Sequence, residues 1–174
     1  EYLLEIIVVD DNSSDGTGIT IKNLSREDNR IRLIPRYGRI GLSSAIKEGL
    51  IAAKYELGGV IDGDGQVDPC DLKIAICNLV KDSFDIVVGS RFLYKSKRSG
   101  LSPKREFASS AANYLCRLSL PNRYSHITDY QSICMAINLK TCIPLIYKVN
   151  VNGFKFFYEL LSLSKGKLKI SDVP

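Results

Sequence analysis

A single histidine, His126, stands in 174 residues, and tryptophan is absent. Metal sites built on several histidines, and Ser-His nucleophilic relays, therefore have little to work with. Two glycine signatures are missing as well. Neither a GxGxxG turn nor a GxxxxGK[ST] loop occurs, which argues against dinucleotide enzymes and P-loop nucleotide hydrolases. No uninterrupted apolar run approaches the ~18 residues of a membrane span, and no secretory leader pattern is present. The five cysteines (Cys70, Cys77, Cys116, Cys134, Cys142) are scattered and odd in number. That usage suits reduced core thiols in a cytosolic compartment better than a disulfide frame or a zinc site. No repeat, low-complexity tract or linker divides the chain, so it reads as one domain with room for a sizeable core. Its 45% hydrophobic and 25% charged residues are those of an ordinary globular protein.

What is present gathers around Val60-Ile61-Asp62-Gly63-Asp64-Gly65-Gln66-Val67-Asp68-Pro69. An apolar lead-in reads as the end of a buried strand, the glycines let the backbone turn, and the proline starts a helix. In extended backbone, side chains at i and i+2 point the same way, so Asp62 and Asp64 can converge on one object. Gln66 can add a neutral oxygen. An all-oxygen cluster suits Mg²⁺ or Mn²⁺, with phosphate oxygens completing the shell. A polar turn after a strand would look similar.

Strands and helices alternate around this motif. Leu3 to Val9 is a β-branched run that reads as a buried parallel strand, and it delivers Asp10-Asp11-Asn12-Ser13-Ser14-Asp15. Acids at the carboxyl end of such a strand are placed for ligand contact, and also for helix capping. Asp11 is the candidate for the first role, Asp15 for the second. Helical spacing is expected over Ile19–Asn29, Ser43–Lys54, Cys70–Lys81, Glu106–Leu120 and Phe154–Leu163, and strands over Ile31–Pro35, Leu57–Ile61, Phe84–Arg91 and Lys167–Val173, with an apolar stretch over Ile133–Ile137. Arg36 opens a basic, glycine-bearing turn before a helix, which could form an anion site or a solvated turn. From Arg91 to Arg105 six cations (Arg91, Lys95, Lys97, Arg98, Lys104, Arg105) precede the next acid, Glu106. They read as a solvated loop, or as a surface for a phosphate-bearing substrate or anionic lipid. The whole is a three-layer α/β domain with a mostly parallel central sheet. Nothing points to nucleic acid.

The ordered set EIIVVDDNSSDGT, Arg36 with Gly41-Leu42, VIDGDGQVDP, DIVVGSRF, TDYQS, GFKFFYELL and the closing Val173-Pro174 resembles glycosyltransferase family 2, on the side of the dolichyl- and polyprenyl-phosphate sugar synthases. The resemblance covers nearly the whole chain and implies the GT-A nucleotide-diphospho-sugar transferase fold. It implies that Asp62, Asp64 and Gln66 hold Mg²⁺ or Mn²⁺, and that Val9, Asp11, Arg36, Asp62, Gly63, Asp64 and Arg91 meet the nucleotide sugar. It implies that Arg105, Ser109 and Ser132 line an acceptor-phosphate pocket, and that Asp64, Arg91 and Asp129 carry the chemistry. The implied partners are a nucleotide sugar (GDP-mannose, then UDP-glucose), a polyprenyl phosphate and the cytoplasmic face of a membrane.

Inverting transfer needs a stabilised nucleoside diphosphate leaving group, which a dication and arginines supply. A lipid phosphate acceptor is already anionic, whereas a sugar hydroxyl would require a base, with Asp129 the candidate. Against the family pattern the chain is expected to lack the first strand and the basic segment that closes over the donor. Ile133-Cys134-Met135 also stands where relatives show Gly-Phe-Arg. Processive polysaccharide synthases carry a Gln-x-x-Arg-Trp motif, and this chain has no Trp. A family 2 enzyme acting on a sugar hydroxyl, and a non-catalytic binding module, stay open as alternatives.

Overall fold

The computed structural model describes residues 4–38, 41–65, 67–93, 103–150, 152 and 155–174, with only the backbone described over 103–107. Chain order is β1 (Ile6–Asp10), α1 (Thr17–Glu27), β2 (Ile31–Pro35), α2 (Leu42–Ala52), β3 (Leu57–Val60) and α3 (Pro69–Lys81). It continues with β4 (Ile86–Gly89), α4 (Pro103–Ser119), β5 (Met135–Asn138), α5 (Leu139–Ile146), α6 (Phe156–Ser164) and β6 (Ile170–Val173).

β1 pairs with β2 in parallel. The other strands form a second sheet in the order β3-β5-β4-β6, in which β5 runs against both neighbours and β6 runs with β4. β3, β4 and β6 therefore share one direction. Their carboxyl ends lie on the same sheet edge as the residues leading into β5, and this brings positions 61–64, 90–91 and 129–134 together.

Strand pleating sends alternate side chains to opposite faces. Ile86, Val88, Met135, Ile137 and Ile170 enter the larger core with Ile46 and Leu50 of α2, Cys142 and Ile146 of α5, and Phe157, Leu160 and Leu161 of α6. Val87, Ala136 and Val173 face the other way, against Ala75 and Leu79 of α3. Burial on both faces explains why β4 and β5 read as continuous apolar runs. Helix α2 joins the two sheets. A Cβ at Gly49 would lie 3.2 Å from Val9 Cγ2, and Leu50 Cδ2 lies equally close to the Cβ position of Gly58 on β3.

The three layers expected from sequence are present. The sheet differs in being divided in two and in carrying an antiparallel member. The reason for the second is plain, since an apolar run such as Ile133–Ile137 carries no mark of strand direction. Helix α5 was not marked by the sequence, because Pro144 sits inside it and proline reads as a breaker.

Candidate active site

The acidic loop leaves β3 at the functional edge. Gly65 has φ +74, a left-handed conformation that glycine adopts without penalty. Asp68 then caps α3, accepting the Cys70 N–H at 2.8 Å, with Pro69 in the first turn as expected. Asp62 is half-buried and Asp64 exposed, while Gln66 lies outside the described residues. Burial first, and then the charge of Asp64, push the Asp62 carboxyl above its ordinary value, while Arg91 pulls it back. Among the described residues no group of three or more His, Cys, Asp or Glu is gathered around one point. Two mutually repelling carboxylates on an open loop fit a hard dication that takes its remaining ligands from elsewhere.

Arg91 follows β4 and rests on Asp129. Its Nε donates to Asp129 Oδ2 at 2.8 Å and its Nη2 to Oδ1 at 3.1 Å, a bidentate pair. The carboxylate also accepts the Gln131 N–H at 3.1 Å and, weakly, the Arg91 N–H at 3.4 Å. The Asp129 side chain is 0% exposed and that of Arg91 is 55% exposed. A buried acid thus anchors a cation whose outer surface remains in water. The bond to Asp129, its charge and the charge of Asp62 all raise the Arg91 pKa, against desolvation. The last of these effects places the arginine in the electrostatic field of the acidic loop.

Other residues singled out from sequence lie differently. Asp11 takes the Arg36 Nε at 2.6 Å and the Gly41 N–H at 3.1 Å. Arg36 also donates to Ser44 Oγ at 2.6 Å, and its side chain is 1% exposed. This pair holds the turn before α2 and leaves the Arg36 side chain buried. Asp15 accepts the Thr17 N–H at 3.0 Å from one position ahead of the N-cap, Gly16, which itself has no side-chain cap bond. The Ser132 hydroxyl is buried and donates to the Gly89 carbonyl at 2.6 Å. It therefore offers no free donor to an acceptor phosphate. Ser109 is half-buried on α4, Val9 is half-buried on β1, and Gly63 is exposed. The Arg105 side chain, and Lys95, Lys97 and Arg98 of the basic segment, lie outside the described residues.

Sequence reading missed the residues behind the Arg91–Asp129 pair: Ser90, Asn113, Thr128 and Asp172. The available signal was that Ser90 and Thr128 are small polar residues directly before the two charged ones.

The family model described as Glycosyl transferase family 2 matches residues 1–143. The chain belongs to that family. Among curated relatives, the dolichol-phosphate mannosyltransferase of Pyrococcus furiosus is 32% identical over 171 residues, 98% of this chain and 47% of the relative. The dodecaprenyl-phosphate galacturonate synthase of Rhizobium johnstonii is 34% identical over 112 residues, 64% of this chain and 32% of the relative. The chain thus spans a third to a half of these relatives. Among solved structures, the glucosyl-3-phosphoglycerate synthase of Mycobacterium tuberculosis, in complex with Mn²⁺, UDP-glucose and phosphoglyceric acid, superimposes with a TM-score of 0.66. It is 17% identical, and the match covers 96% of this chain and 57% of that one. The GT-A fold of this family 2 chain is therefore established alongside its membership.

Proposed function

We propose that this family 2 chain takes part in metal-dependent, inverting transfer of a hexose from a nucleotide sugar, GDP-mannose first, to a polyprenyl or dolichyl phosphate. The observation that carries the reading is Arg91, a half-exposed cation fixed on a buried acid beside the Asp62–Asp64 loop. The loop carboxylates would hold Mg²⁺ or Mn²⁺, which when bound neutralises charge on the leaving diphosphate. Arg91 offers a preset positive charge to a donor or acceptor phosphate without reorganising during reaction. Asp129 has both oxygens engaged and no solvent exposure, so it serves as the seat of Arg91 rather than as a base. That favours an acceptor that arrives as an anion over a sugar hydroxyl. Two named relatives act on polyprenyl-type phosphates, which supports the same choice. Among the described residues no helix is long and apolar enough to cross a membrane. In this reading a lipid acceptor would be met at the cytoplasmic face of a bilayer.

Calorimetric titration with GDP-mannose and UDP-glucose, each with Mn²⁺ and then with EDTA, tests the donor half. Binding of one donor only with metal supports the reading and selects the sugar. Transfer of labelled hexose to a short polyprenyl phosphate tests the acceptor half. Metal-independent binding, or transfer only to a free sugar, would overturn it.

A further inference from the structure

The Arg91–Asp129 pair is backed by a chain of hydrogen bonds that ends on β6. Asp172 Oδ2 accepts twice from Thr128, from the backbone N–H at 2.8 Å and from the hydroxyl at 2.5 Å. With its proton committed to Asp172, the Thr128 hydroxyl oxygen can only accept, and Ser90 Oγ lies 2.6 Å away to donate. Ser90 Oγ in turn accepts the Phe92 N–H at 3.1 Å. Each bond therefore has one direction, running from Phe92 through Ser90 and Thr128 to Asp172. The chain brackets the pair, because Thr128 precedes Asp129 while Ser90 and Phe92 flank Arg91. Asn113 of α4 secures the same segment from the other side, donating to the Thr128 carbonyl at 2.5 Å and accepting the Tyr130 N–H at 2.8 Å.

We propose that Asp172 is a positioning residue for Arg91: acting through Thr128 and Ser90, it fixes the Asp129 carboxylate and hence the direction in which the guanidinium is presented. Asp172 touches no ligand in this assignment. A bidentate guanidinium–carboxylate pair is planar and directional, so a displaced carboxylate carries the guanidinium with it. Misplacement of a binding group by about 1 Å can cost on the order of 100-fold in rate. The identity of the phosphate that Arg91 meets rests on the function proposed above, whereas the positioning role does not.

A purely structural Asp172 would tie β6 to the segment before β5 and leave Arg91 unaffected. The discriminating signal is the Arg91 Nε–H, which donates to Asp129 and can be followed by ¹⁵N NMR in the whole chain. Thr128→Val keeps the side-chain shape and removes the hydroxyl link. Asp172→Asn keeps an accepting oxygen, and Asp172→Ala removes it. We expect Thr128→Val and Asp172→Ala to speed solvent exchange of the Arg91 Nε–H by about tenfold, the effect of one ordinary hydrogen bond. Amides of Val87 and Ala136 should keep their protection, showing that the sheet is intact. Asp172→Asn should stay within about twofold of the parent, because the acceptor geometry survives. Parent-like exchange in Thr128→Val, or an Asp172→Asn variant as fast as Asp172→Ala, overturns the assignment. GDP-mannose with Mn²⁺ provides the parallel readout, and affinity should fall with Thr128→Val and Asp172→Ala only. A parent chain that binds neither would sink the proposed function and leave the exchange result to decide the role of Asp172.

Discussion

Arg91→Ala and Asp129→Asn remove the two halves of one ion pair, and the structure makes them unequal. Arg91→Ala leaves a carboxylate of 0% exposure with the Gln131 N–H and a long bond from the residue 91 N–H. Removing one partner of a fully buried pair costs about 3–5 kcal/mol, because a charge is left uncompensated. Here the guanidinium is 55% exposed and solvent screens part of the interaction, so about 2–3 kcal/mol is the expected loss. Asp129→Asn keeps the shape and one accepting oxygen, and the cation it releases is already half hydrated. Its cost should be about 1 kcal/mol, that of an ordinary hydrogen bond. The double variant removes the orphaned charge as well as the cation. It should therefore be more stable than the sum of the singles, with a coupling of about 1–2 kcal/mol. Urea unfolding of the four proteins at neutral pH, followed by circular dichroism, measures all three quantities. Equal single costs that add within about 0.5 kcal/mol would refute the reasoning, since they would mean that Arg91 compensates no buried charge.

Other expectations follow from the same geometry. The Asp62 carboxyl is raised by burial and by Asp64, so its ionised form opposes folding at neutral pH and the opposition fades as pH falls through the raised value. Metal-free Asp62→Asn should accordingly melt above the parent at pH 7, lose that advantage toward acid, and lose stabilisation by Mn²⁺. Thermal scans from pH 4 to 7 with and without Mn²⁺ check both effects. Burial pushes the Cys134 thiol up to about 11 and Cys142 up to about 12, whereas Cys70 and Cys77 are exposed. Mass spectrometry after iodoacetamide should show Cys70 and Cys77 labelled in the native chain, and Cys134 and Cys142 only after unfolding. A Cβ at Gly89 would meet Cys134 Sγ at 3.1 Å and Cys134 Cβ at 3.3 Å. Gly89→Ala should thus cost about 1–3 kcal/mol in urea unfolding.

Local patterns were legible where chemistry acts over a few residues. Pro69 behind Asp68 marked the start of α3, and helical spacing carried it to Lys81. The apolar run marked β4, whereas the stretch that holds β5 read only as apolar, and the acids were expected at the carboxyl ends of strands. The partnerships were not legible, because they join distant residues. Arg91 meets Asp129 across 38 positions and Thr128 meets Asp172 across 44, and no local preference encodes either. Arg36 shows the same limit from the other side. A basic residue next to glycines reads as an anion site, yet Asp11, 25 positions earlier, claims it. Ser132 was implied by the resemblance alone, and sequence does not show that the Gly89 carbonyl lies in front of it.

The strand order β3-β5-β4-β6 has a consequence for how the chain acquires its site. β3 and β4 never touch directly; β5 lies between them, so their common edge cannot form until residues 135–138 have inserted. The lock on Thr128 needs residue 172 on β6 as well. Non-local pairings of this kind slow folding because loop-closure entropy must be overcome before any contact repays it. The carboxylate loop and the arginine therefore come into register only once β5 lies between their strands. Unpaired, the apolar β4 and β5 would stand open to wrong partners, so pairing of β4 with β5 and β6 also guards the chain against misassembly.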